Sequence, residues 1–219
     1  MRQISLRIIW TILFGILLVF FGLALFKIVI QTISHIKLYQ YAGIGVALYV
    51  VMFFVLGKKI ISGLDTFVHE LAHAIVATML FRKVQSFWAT AREGGKISYA
   101  GNSSFIITLA PYCFPFITLF FILIKQFIDS DYIWIFDILI GLTFAFHYHS
   151  YYLQTRVHQT DLRKYGYVFS YIYIFTVNFF VIAVVLLSFR MSLFGTLKYF
   201  FSLIFENIIS LLKYLELVS

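Results

Sequence analysis

The residues best suited to chemistry lie together in Phe67-Val68-His69-Glu70-Leu71-Ala72-His73-Ala74. Histidines four apart on a helix project from one face about one turn apart, so His69 and His73 can both reach a single zinc ion at about 2 Å. Glu70 adjoins the first imidazole and can contact a water on that ion without filling a coordination position. Zinc brings the pKa of such a water towards neutrality, and the glutamate takes its proton as it attacks a peptide carbonyl. The competing reading is a polar helix face that hydrogen-bonds to its neighbours or holds metal for structure alone. Three ionisable groups within five residues of an apolar segment favour function, because such groups are costly inside a membrane.

Two histidines leave the site incomplete, since a hydrolytic zinc usually has three protein ligands and one open position. Further donors lie in Phe146-His147-Tyr148-His149 and in Arg156-Val157-His158-Gln159-Thr160-Asp161. Asp161 is the first choice, in a polar cluster just past the fifth apolar run. His158, His147 and His149 stay open as alternative ligands or as partners of a ligand. Asp65, four residues before His69 on the same helical face, is suited either to accept a ligand imidazole's N–H or to cap the helix start. Asn102 suits a substrate backbone or a turn. Asp137 and Asn178, within apolar runs, suit helix–helix hydrogen bonds.

These residues must be held by elements built for a bilayer. Of 219 residues, 62% are hydrophobic and 12% charged, whereas a soluble domain carries roughly a quarter charged. Apolar runs at 8–33, 42–57, 60–81, 103–124, 132–152 and 165–189 approach the ~20 residues of a spanning helix. The second is short, so it is tilted, re-entrant or continuous with the third. Pro111 and Pro115 predict a kink in the fourth. The expected fold is a single all-α polytopic membrane domain, 1–219, of six or seven transmembrane helices. A short β-hairpin follows the motif helix, with strands at 86–92 and 96–100 around a Gly94-Gly95 turn. The tail, 191–219, is a membrane or interfacial helix whose charges Lys198, Glu206, Lys213 and Glu216 share a narrow arc, a surface for possible partner subunits.

The net charge of +8 comes from basic residues in short stretches between apolar runs. That pattern suits contact with the lipid bilayer and its anionic headgroups, and no nucleic acid is expected as partner. Cys113 is the only cysteine, which excludes an intrachain disulfide and a cysteine zinc site. The first run lacks a small-residue cleavage site and reads as a retained helix. If every run spans, Lys37, 82–96 and 156–164 share one side, and Arg2, Arg7, Lys58, Lys59 and Lys125 share the other. The denser first group favours the cytoplasm for that side.

An HExxH motif in a membrane helix, then a hairpin, then helices ending in an aspartate-bearing stretch, resembles the site-2 protease family of intramembrane zinc metalloproteases. The likeness covers about 60–166 and is closest to the divergent bacterial branch without a PDZ domain. Ala100-Gly101-Asn102…Ala110-Pro111 loosely matches the helix after that family's hairpin. The resemblance implies His69 and His73 as Zn2+ ligands, Glu70 as catalytic base and an aspartate as third ligand. Ala72 replaces a common motif glycine, and the family's Asn-Pro-Asp-Gly-type motif is missing. His158-Gln159-Thr160-Asp161, with Gly166 beyond, is the nearest equivalent. The expected function is a zinc metalloendopeptidase of the bacterial inner membrane, acting on a membrane protein or peptide substrate. The alternative is a catalytically silent, protease-like scaffold subunit of a larger complex. A transporter using intramembrane His and Asp is disfavoured, because no repeated half or paired broken helices stand out.

Overall fold

The computed structural model describes residues 2–90, 94–155 and 159–218. It is a multi-pass membrane protein built from helices, with a two-stranded antiparallel sheet among the described residues. Helix α1 runs Arg2–Ser34 and α2 runs Gln40–Met79. Strands β1 (Val84–Thr90) and β2 (Gly94–Tyr99) follow. Then come α3 (Phe105–Leu109), α4 (Phe116–Lys125), α5 (Ile133–Gln154), α6 (Thr160–Tyr165), α7 (Tyr167–Ser188) and α8 (Leu193–Val218). Six stretches are long and apolar enough to cross a membrane. A seventh is the pair Phe105–Tyr112 and Phe116–Lys125, bent by 80°.

The second and third apolar runs are one helix, broken at Gly57, whose φ of +73° is open to glycine and strained for other residues. The two limbs of α2 pack on α5. At the closest approach a methyl added to Gly45 would collide with the Ile138 carbonyl, and one added to Gly141 with the Ala42 carbonyl. Small residues that let backbones meet are how helices associate where lipid is as apolar as the side chains. Helices α1 and α7 pack side by side, and α8 closes on both through Ala24, Ile28, Ala183, Leu187, Phe200, Leu203 and Ile204. The tail therefore packs within the chain along its first half. Ile209, Leu212 and Leu215 in its second half stay exposed.

Two expectations are corrected. The hairpin forms, but Gly94 and Gly95 are the first residues of β2, paired with Thr90 and Ala89, so neither makes the turn. Arg7 is also not opposite 156–164, because it lines a cavity with Ser103 and Lys164 and its guanidinium lies against Gly166. The second limb of α2 explains the discrepancy. It starts beside the end of α5, where Asp65 accepts hydrogen bonds from Ser150 and Gln154. The chain after the hairpin returns to that end, where Ser103 bonds to the Tyr165 hydroxyl. The limb and hairpin thus enter and leave at one end of the bundle, which a count of crossings cannot anticipate.

At the other end Lys125 and Asp137 form a buried ion pair of 2.6 Å. Lys125 also donates to the Ser188 carbonyl at 3.1 Å and lies over the Phe189 ring, so it ties α4 to α5 and α7. Lys125 sits inside, not in a loop at the headgroups, and Asp137 makes the expected interhelical bond as an ion pair. Asn178 makes its own, donating to the Tyr112 carbonyl and accepting from the Tyr148 hydroxyl. Removing one member of a buried pair leaves the other charge uncompensated, at about 3–5 kcal/mol. Lys125→Met should therefore lower the unfolding midpoint in detergent sharply, and Lys125→Met with Asp137→Leu should recover most of the loss. A single variant as stable as the parent would show the pair to be dispensable.

Candidate metal centre

His69, Glu70 and His73 stand in the second limb of α2, and Asp161 comes from the first turn of α6. A ligand atom from His69, one from His73 and one from Asp161 all lie within 4.8 Å of one another. The Nε2 atoms of His69 and His73 are 3.6 and 3.5 Å from Asp161 Oδ2. Those separations exceed the 2.7–3.2 Å of a direct N–H···O bond. They approach the roughly 3.4 Å between ligand atoms around a tetrahedral zinc with arms of about 2.0–2.1 Å. The three donors thus fit a metal ion better than they fit one another.

Local sequence explains the orientation. In an α-helix the Ile107 carbonyl would accept from residue 111, but Pro111 has no N–H. It accepts instead from Ala110, and its remaining capacity takes His73 Nδ1 at 2.7 Å. A carbonyl only accepts, so Nδ1 carries a proton and Nε2 is the nitrogen that faces Asp161, the one a metal would take from the neutral ring. A ligand imidazole held by a backbone carbonyl is the usual outer-shell arrangement of a metal site. His69 packs its ring on the edge of Tyr112. Its Nδ1 is buried without a hydrogen-bond partner among the described residues.

Asp161 is anchored from below. Leu162, fully buried, packs with Leu109, Tyr112, Cys113, Phe169 and Tyr173. The Tyr112 hydroxyl donates to Asp161 Oδ2 at 3.4 Å. Burial alone would raise the Asp161 carboxyl, but the imidazoles of His69 and His73 outweigh it and hold the group well below the usual carboxylate range. Asp161 is therefore anionic, as a ligand must be.

The three donors and Glu70 line a mostly polar cavity of about 340 Å³, and Gly95, Lys96 and Ile97 of β2 form its other wall. Glu70 is 9% exposed and lies against the β2 backbone, where a Cβ on Gly95 would fall onto its side chain. Among the described residues β2 pairs only with β1, and its other edge has no strand partner.

The remaining candidates lie elsewhere. His149 bonds to the Tyr49 hydroxyl and meets the Phe53 ring edge-on. His147 is buried among Val68, Pro115, Thr143 and Phe146 and does not join the donor group. Asp65 bonds to α5 rather than to an imidazole, and it lies two turns past Gly57 rather than at a cap. Asn102 is exposed and does not line the cavity. His158 falls outside the described residues. Sequence reading missed Tyr112, Gly95 and the Ile107 carbonyl. Pro111 was the one available signal, as a proline that frees a carbonyl. No protein-family model, curated protein or solved structure matches the chain.

Proposed function

We propose that this protein is an intramembrane zinc metalloendopeptidase of the site-2 protease kind, in the bacterial cytoplasmic membrane, cleaving a membrane-embedded or membrane-adjacent peptide. The observation that carries this reading is the meeting of Asp161 with the Nε2 atoms of His69 and His73, beside a glutamate that is not part of the donor group. His69, His73 and Asp161 would hold the ion. When bound, zinc supplies Lewis-acid activation of water and of the peptide carbonyl. A structural site needs the ligands alone, so the placement of Glu70 in the cavity favours an enzyme over a silent scaffold.

The chain's own residues supply the rest. An extended substrate segment can pair along the open edge of β2, whose main-chain groups give affinity without dictating sequence. Glu70 takes a proton from water as its oxygen adds to the scissile carbon. Glu70 then delivers that proton to the departing nitrogen as the C–N bond breaks, leaving a carboxyl and an amine. The polar walls hold water in a part of the protein that otherwise excludes it.

The deciding experiment combines metal analysis of the purified protein with proteolysis of co-expressed membrane proteins. About one zinc per chain and chelator-sensitive cleavage are expected. Protein with no bound metal after growth in zinc would overturn the reading. A finer check uses Gly95. In Gly95→Ala the atoms nearest the new methyl all belong to Glu70, so zinc should be kept while cleavage falls by at least about tenfold. Full cleavage in Gly95→Ala would mean that β2 does not position Glu70.

A further inference from the structure

A second cavity, of about 390 Å³, opens at the same end of the bundle where α1, α3, α6 and α7 meet. Its character changes with depth. At the mouth stand Arg7 and Lys164, with the hydroxyls of Ser103 and Tyr165, which bond to each other at 3.2 Å. Deeper walls are aromatic: Trp10, Phe105 and Phe169, with Phe105 meeting Trp10 and Phe169 at ring distances of 5.9 and 5.2 Å. The mouth also coincides with the membrane boundary. The apolar span of α1 begins at Leu6, that of the broken pair at Phe105 and that of α7 at Tyr167. Arg7, Ser103, Lys164 and Tyr165 are each within a few residues of those starting points. Among the described residues, none that lines the cavity is acidic and no ion pair of Arg7 or Lys164 is found.

From this we infer that the cavity is a binding site for an anionic glycerophospholipid, its phosphate between Arg7 and Lys164 and its acyl chain against Trp10, Phe105 and Phe169. A solvated basic loop also attracts anionic lipid, but diffusely and without an aromatic slot beneath it. A free phosphate would use the two cations and the hydroxyls and leave the aromatic wall empty. An uncharged lipid would use the wall and leave the cations unpaired. A zwitterionic phospholipid brings a phosphate as well, but with its own cation beside it, whereas an anionic one brings net negative charge to the two cations of the mouth. Lys164 also lines the metal cavity, so the headgroup holds one residue of that cavity's rim.

Trp10 permits a direct test. The full chain carrying Trp88→Phe and Trp134→Phe retains Trp10 as its one tryptophan. It is reconstituted in phosphatidylcholine vesicles containing a minor fraction of brominated phosphatidylglycerol, or the same fraction of brominated phosphatidylcholine. Bromine quenches tryptophan only at contact. Each cation near a headgroup favours anionic lipid by roughly fivefold. The brominated anionic lipid should therefore reach half-maximal quenching at a lipid fraction at least about tenfold lower than the zwitterionic one. Arg7→Gln and Lys164→Gln should each reduce that preference about fivefold, whereas Lys27→Gln, remote from the cavity, should leave it unchanged. Equal quenching by the two lipids, or a preference that survives Arg7→Gln, overturns the inference. Relief of quenching by millimolar inorganic phosphate would assign the cations to free phosphate and overturn it as well. Because the readout is quenching in protein that need not cleave anything, its failure is separate from any failure of the peptidase reading.

Discussion

Glu70→Gln should keep zinc at the parental level and lose hydrolysis, by about 10²–10⁴-fold from the proton-transfer role alone. The substitution preserves the size of the side chain and removes only its basicity. His69, His73 and Asp161 form the donor group without Glu70, so the metal has no reason to leave. Glu70 lies against the β2 backbone at Gly95, and the amide occupies the same space, so the fold should be unaffected. The measurement is paired: metal content of the purified variant, and appearance of the cleaved fragment of an identified membrane substrate. Wild-type cleavage by the variant would remove Glu70 from the base role. Loss of zinc along with activity would instead make it a ligand, contrary to the donor geometry.

Asp161→Asn should have the largest effect on metal binding, lowering zinc affinity by more than about 100-fold. Loss of a group that merely orients a ligand already costs 10–100-fold, and Asp161 offers a ligand atom itself. The amide keeps the volume and can still meet Tyr112, whose hydroxyl now donates to the carboxylate. It lacks the negative charge that offsets a divalent ion taken out of water. Replacing His69 and His73 together should abolish binding, since two of the three donors are then gone. Competition against a chromophoric chelator measures both. Unaltered affinity in Asp161→Asn would show that the third donor lies elsewhere, with His158 the next to replace.

The membrane class, the spacing of the spans, the hairpin and the pairing of His69 with His73 were all legible in the sequence. Each is a local property: apolar run length reports cost in lipid, and an i, i+4 spacing places two side chains on one helix face whatever surrounds it. The sides on which the runs end were not legible. A glycine break at Gly57 and an 80° bend after Pro111 each redirect a helix without altering its hydropathy. Nor was the assignment of the remaining histidines, since His147 and His149 differ from a ligand only in what packs around them. Asp161 was selected from sequence by its polar neighbourhood, but only tertiary structure could bring it to 3.5–3.6 Å from imidazoles 88 and 92 residues earlier. The same holds for Gly95 against Glu70 and for the Ile107 carbonyl under His73. Contacts between distant segments depend on how helices cross, and that is set by the sum of many small packing terms rather than by any single stretch of chain.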